Sequence, residues 1–223
     1  MYSLTHSRRR IGKSANMNSI SGKPRFITLE GLDGSGKTTQ IDKIVEVCAE
    51  HSPAGVVVTR EPGGTELGER IRHILLEHAS IEPLSELLLV LAARVQHVHA
   101  VIAPALALGQ TVVCDRYIDA TYAYQGAGRG LPSPLLDELG RLLALPTPDL
   151  TLYFDVPVAT AQARRRGRPA DRIESEDATF FERVRAGYMA RAAAAPARFV
   201  TVPASGTLVE VGQSVVTALD GLW

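Results

Sequence analysis

The 223-residue chain has two cysteines, no excess of either charge and no uninterrupted apolar run of membrane-spanning length. Each shortage excludes something. Cys48 and Cys114 are too few for a disulfide framework or a cysteine zinc site, and both sit among apolar neighbours, so they read as reduced core residues. The 24 Lys and Arg are balanced by 24 Asp and Glu. That balance speaks against a general nucleic-acid binder, although a local basic cluster can still hold phosphates. Regions such as 87–93 are interrupted by charge well short of the ~18 consecutive apolar residues of a bilayer span, so no membrane partner is expected. Arg8, Arg9 and Arg10 lead into no apolar segment, which excludes a secretory signal. Residues 1–24, rich in Ser, Arg, Asn and Gly and without periodicity, read as a disordered tail in which Met17 is an alternative start; a cytoplasmic protein is expected.

What is present fits one globular domain over 25–223. Hydrophobic residues make up 45% and charged residues 22%, ordinary for a chain that buries a core and unlike a disordered one. There is no internal repeat. Short β-branched or apolar runs at 26–29, 56–59, 111–114, 150–154 and 199–202 predict five strands. Helical periodicity intervenes: Ile41, Ile44, Val45 and Cys48 share one face, as do Leu67, Ile71, Ile74, Leu75 and His78. A long helical pattern runs over 83–108 with a bend expected near Pro104, and Leu208, Val211, Val215 and Leu219 mark a last helix. Near-continuous apolar strands separated by helices predict a doubly wound, five-stranded parallel sheet covered on both faces. Ligands of such folds bind beyond the carboxyl ends of the strands, which directs attention to the residues after 29, 59, 114 and 154.

The first of these places holds Gly31-Leu32-Asp33-Gly34-Ser35-Gly36-Lys37-Thr38, which fits G-x-x-x-x-G-K-[ST] between a strand and a helix. Glycines let the backbone curl so that N–H groups and a helix N-terminus face an anion. Lys37 then reaches the β- and γ-phosphates, and the Thr38 hydroxyl can ligate Mg²⁺. GTPases, ATPases and small-molecule kinases share this loop, but the chain has no Asn-Lys-x-Asp motif to read guanine. The other strand ends carry Arg60-Glu61-Pro62-Gly63-Gly64-Thr65, then Asp115-Arg116-Tyr117 with Thr121, Tyr124 and Gln125, and finally the arginine-rich segment 164–172.

With Ala92-Ala93-Arg94 and Pro148-Asp149-Leu150-Thr151-Leu152-Tyr153, these segments resemble the bacterial thymidylate kinases over residues 26–220. The resemblance implies a P-loop nucleoside monophosphate kinase with a small mobile lid around 164–174, ATP and dTMP as substrates, Mg²⁺ with the ATP, and a homodimer. The loop residues Gly31, Asp33, Gly34, Ser35, Gly36, Lys37, Thr38 and Thr39 would bind ATP, with Asp33 also positioning the acceptor nucleotide. Arg116 would grip the acceptor phosphate, for which a planar guanidinium is suited. Asp115, the acidic end of an apolar strand, would sit near the Mg²⁺ water shell.

The same likeness puts Arg72, Arg94, Thr121 and Gln125 at the thymine base, Tyr124 against the deoxyribose and Glu61 on the acceptor or metal side. No arginine stands inside the phosphate loop. The five arginines of 164–172 would therefore close over ATP from the lid, with Arg165 and Arg168 favoured as the catalytic pair. One position departs from the pattern: Val90 stands where the family usually has a Phe that stacks on thymine, which puts the preferred base in doubt. A kinase for another nucleoside monophosphate and a nucleotide-binding protein without catalysis are the alternatives.

Overall fold

The computed structural model describes residues 23–78, 80–167 and 169–223. The expected tail at 1–22, and Arg168, lie outside the described residues. Five parallel strands, β1 (Phe26–Glu30), β2 (Val56–Arg60), β3 (Thr111–Asp115), β4 (Leu150–Asp155) and β5 (Phe199–Pro203), form one sheet in the order β2-β3-β1-β4-β5. The three inner strands are buried almost throughout, whereas β2 and β5 at the edges are only partly covered. That gradient is why the inner runs read as continuous apolar sequence. The chain leaves β1 for β2 and β3 on one side and crosses to β4 and β5 on the other, so the crevice opens beyond the ends of β1 and β3.

The helices are α1 (Ile41–His51), α2 (Glu66–Glu77), α3 (Pro83–His97), α4 (Ala103–Ala107), α5 (Ile118–Thr121), α6 (Ser133–Leu142), α7 (Val158–Arg165), α8 (Ala178–Ala194) and α9 (Leu208–Asp220). One core cluster joins Ile27, Leu29, Leu152 and Phe154 of the sheet to Ile44 and Cys48 of α1, Val215 and Leu219 of α9, and Phe180, Val184 and Tyr188 of α8. Both cysteines are free and buried, and burial pushes the Cys48 thiol up to about 12.

Three helical details depart from the sequence reading. Val47, not Val45, completes the buried face of α1. Leu208 begins α9 on the solvent side, 66% exposed, because its neighbour Thr207 closes a capping box with Glu210 and turns the first residue outward. The irregularity of the long helix precedes Pro104: Val98–Ile102 forms a wide π turn joining α3 to α4. Pro104 has no N–H to return to the preceding turn, and the wider turn takes up that loss. The combined helix Pro83–Ala107 is long and apolar enough to cross a bilayer by length and composition. Its Glu86 and Arg94, however, are 1% exposed and turned into the domain.

Candidate active site

β1 delivers the chain into the phosphate loop, and sterics fix the loop's shape. Gly34 has φ 86°, and a Cβ there would stand 2.3 Å from the Ala161 carbonyl oxygen of α7. Glycine is therefore required by both backbone angle and space. Ser35 N–H closes a turn onto Leu32 O at 3.1 Å, and the Ser35 hydroxyl is buried with no hydrogen-bond partner among the described residues. Lys37 opens a short 3₁₀ turn ahead of α1 and donates Nζ to the carbonyls of Gly31 and Leu32, at 2.9 and 3.1 Å. Thr38 and Thr39 are exposed at the same turn.

Arg116, just after β3, has φ 68°, a left-handed conformation that a non-glycine residue adopts at some strain. Its N–H is held by Leu29 O at 2.9 Å. Its guanidinium donates Nη2 to Asp33 Oδ1 at 3.0 Å and Nη1 to the Tyr188 hydroxyl at 3.0 Å, and lies 5.0 Å over the Tyr124 ring. Tyr188 in turn donates to Glu30 Oε2 at 2.8 Å, and Glu30 Oε1 accepts the Tyr117 N–H at 2.8 Å. The carboxyl group at the end of β1 thus holds the backbone N–H that follows Arg116 and, through Tyr188, the Arg116 guanidinium. Glu30 is fully buried; burial first, and then the nearby Asp119 charge, push it up to about 8. The sequence analysis gave Glu30 no role. The signal was the same one that singled out Asp115, an acid ending an apolar strand.

Asp115 does not pair with Arg116, so the neighbouring acid and base are not a local surface ion pair. Its Oδ1 is buried without a hydrogen-bond partner among the described residues. Among those residues no three His, Cys, Asp or Glu side chains cluster as a self-sufficient metal cage.

A cleft on one side of Asp33 and Arg116 is lined by Arg72, Val90, Arg94, Thr121, Tyr124 and Gln125, bringing together every base- and sugar-side residue inferred from sequence. Thr121 ends α5, and Gln125 follows in the π turn Tyr122–Gly128, which keeps residues four apart on nearly the same face. Arg94 is not a surface charge. It is 1% exposed and donates to Glu61 Oε2 at 2.6 Å, Thr121 Oγ1 at 2.7 Å and Tyr117 O at 2.9 Å. Glu61, buried in turn, also bonds His97 Nδ1 at 2.8 Å, while His97 Nε2 meets Thr59 Oγ1 at 2.6 Å. Glu61 is thus a buried acid that orients Arg94 and His97 beside the cleft. Val90 contributes an aliphatic wall with Ile71 and Leu75.

The arginine-rich segment is divided by the structure instead of converging on one place. Arg164 donates to Ala204 O at 2.9 Å and lines a second cleft, with Ser35, Gly36 and Thr39, on the other side of the loop. Arg165 lies against the phosphate loop, its Cγ 3.2 Å from where a Cβ on Gly34 would stand. It pairs with Glu174 at 3.6 Å, and its Nε and Nη1 make no hydrogen bond among the described residues. Arg166 is exposed. Arg172 turns to the first cleft, donating to Leu75 O at 2.7 Å and Glu86 Oε2 at 2.8 Å.

Arg116 has its carboxylate in Asp33, whereas Lys37 and Arg72 make no ion pair among the described residues. Burial, and then the Arg116 charge, lower the pKa of Lys37. Burial, and then Arg60 and Arg116, lower that of Arg72. Asp33 is held well below the usual carboxylate range: burial opposes its charge, but Arg116 and Lys37 outweigh burial. Two clefts that flank one phosphate loop, with Lys37, Arg72 and Arg116 gathered beside it, define a P-loop phosphotransferase that brings two phosphorylated substrates together.

A family model described as thymidylate kinase matches residues 29–215. The thymidylate kinase of Teredinibacter turnerae is 47% identical over 200 residues, covering 88% of this chain and 97% of that protein. That of Alcanivorax borkumensis is 49% identical over 200 residues, covering 88% and 96%. The crystal structure of thymidylate kinase from Ehrlichia chaffeensis superimposes with a TM-score of 0.71 at 37% identity, covering 88% of this chain and 98% of that one. The chain belongs to the thymidylate kinase family.

Proposed function

We propose that the protein transfers the γ-phosphoryl group of ATP to dTMP, giving ADP and dTDP, and that it works in the cytoplasm as a homodimer. The observation that carries the reaction is the placement of Arg116. It lines the first cleft, fixed by Asp33, Tyr188 and Leu29 O, near Lys37 and Arg72, whose charge burial disfavours. Phosphates would relieve that imbalance. The acceptor phosphate oxygen is already anionic, so no general base is needed. The residues instead align the two phosphates and offset the charge of the transition state.

Lys37 and Arg165 supply positive charge at the loop, and Arg116 holds the acceptor phosphate. Asp115, whose Oδ1 is buried with no partner among the described residues, and Thr38 are suited to hold Mg²⁺ bound with ATP, since that ion takes one or two protein oxygens and the phosphates supply others. The ion supplies neutralisation of charge on the phosphate oxygens. Exposed Leu67 and Ile74 on α2 and Leu84, Leu88 and Val95 on α3 support the dimer, because an apolar face of that kind favours burial against a second copy. Coupled-assay turnover across dTMP, dUMP, dCMP, AMP and GMP tests the reaction, and absence of dTMP turnover overturns it. Sedimentation at micromolar concentration tests the dimer, and a 24.0 kDa species overturns it.

A further inference from the structure

Glu86, on α3, is a buried carboxylate that phosphoryl transfer does not require. Only 1% of it is exposed, yet three side chains converge on it. Oε1 accepts Gln125 Nε2 at 2.7 Å, Oε2 accepts Arg172 Nη2 at 2.8 Å, and Arg129 Nε lies 3.4 and 3.3 Å from the two oxygens. A carboxylate flanked by two guanidiniums offers lone pairs only. The Gln125 amide can therefore turn only its NH₂ group toward Glu86, which leaves its carbonyl oxygen for the cleft it lines. Beside it, Thr121 Oγ1 already accepts from Arg94 at 2.7 Å, so the hydroxyl proton of Thr121 is the part left to give.

The wall thus shows one acceptor next to one donor. Thymine and uracil present the complement, an N3–H donor beside the O4 acceptor. Cytosine presents the reverse, a bare N3 beside an amino group, and would set acceptor against acceptor and donor against donor. A buried site built for one pattern rejects the other strongly, because its own polar groups are left unpaired.

Resting on the dTMP reading above, we propose that Glu86 is the positioning residue for base selection: it locks the Gln125 amide so that the carbonyl oxygen faces N3–H, and thereby excludes cytosine nucleotides. Arg172 shares the carboxylate but not the amide, which supplies an internal control. Glu86→Gln gives residue 86 its own NH₂ donor, so Gln125 can reverse and present its NH₂ to the base.

The test measures kcat/KM for dTMP and dCMP in the full-length wild type, E86Q and R172A, with thermal unfolding to confirm folding. E86Q is expected to lower the dTMP:dCMP ratio at least about tenfold, since a single misplaced polar group is worth that much discrimination. R172A is expected to weaken both substrates while keeping the ratio within about twofold, since the Gln125–Glu86 bond survives. A folded E86Q enzyme as selective as wild type would overturn the role of Glu86 and leave dTMP phosphorylation standing. A wild type that turns over neither nucleotide would overturn both readings.

NMR of the labelled wild type provides a second measurement that does not depend on E86Q folding. The Gln125 side-chain NH₂ protons should be protected from exchange before dTMP is added. On its addition the Gln125 carbonyl carbon should shift and the NH₂ protons should not. Exchange-labile NH₂ protons that shift on dTMP binding would reject the proposal.

Discussion

Asp33 and Arg116 come from two different strand ends, 83 residues apart in sequence, and meet at 3.0 Å. The pair puts a carboxylate of the phosphate loop directly on the arginine proposed to receive the acceptor phosphate. Asp33 aligns the guanidinium from one side and Tyr188 from the other, so the remaining donors of Arg116 are held in a fixed direction. Arg116→Ala is expected to lower kcat/KM for dTMP by about 10³-fold or more, as loss of a transition-state arginine does in other phosphotransferases. Arg116→Lys should recover only a small part, because an ammonium cannot reproduce the forked contact. Steady-state kinetics check both, and an unchanged R116A enzyme would remove the basis of the mechanism.

The arginines of 164–172 are expected to separate kinetically. Arg165 lies on the phosphate loop with two donors unused among the described residues, whereas Arg172 is tied into the acceptor side. Arg165→Ala should lower kcat by about 10²-fold or more with little change in KM for dTMP, the pattern of an interaction made only in the transition state. Arg172→Ala should instead raise KM for dTMP more than it lowers kcat. The reverse split would exchange the two roles.

Val90 supplies an aliphatic surface where an aromatic ring would stack. Val90→Phe is expected to lower KM for dTMP by roughly tenfold, since stacking of a base on an aromatic ring contributes about 1–3 kcal/mol. Titration calorimetry of dTMP against both proteins reads the change directly, and weaker binding by the variant would show that the wall has no room for a ring beside Ile71 and Leu75.

Glu30 gives stability a pH dependence of definite sign. Its ordinary value near 4.5 applies to the unfolded chain, and burial raises it to about 8 in the fold. Between those limits the folded protein holds a proton that the unfolded chain has released. Stability therefore falls as pH rises through that window, by up to about 1.4 kcal/mol per pH unit from this group, and the contribution is flat above it. Glu30→Gln abolishes the titration. Urea unfolding at intervals from about pH 5 to about pH 8 should show the variant gaining on wild type throughout. Parallel curves would mean that Glu30 does not titrate there.

The sheet was legible because its inner strands are apolar and β-branched from end to end, and the phosphate loop because a fixed spacing sits between a strand and a helix. α8 was not singled out. Its buried side chains, Phe180, Phe181, Val184 and Tyr188, end at Tyr188, and the remaining turns are mostly alanine. Its start was marked by Asp177, whose carboxylate caps the Phe180 N–H at 2.7 Å. The residues that line the cleft could be read from motifs. The residues that hold them in place could not, because their partners are remote: Tyr188 lies 158 residues from Glu30, and Gln125 39 residues from Glu86. The arginine run shows the opposite limit. The sequence favoured Arg165 and Arg168 within it but gave no sign that Arg165 lies against the phosphate loop while Arg172 turns to the cleft beside Gln125.

The left-handed backbone at Arg116 narrows the routes by which inhibitor resistance can arise. Glycine would relax the φ of 68° but discard the charge, and any other side chain would keep the strain without the forked donor. An inhibitor whose anionic group seats on this guanidinium therefore presses on a position where each escape substitution also disarms the catalyst.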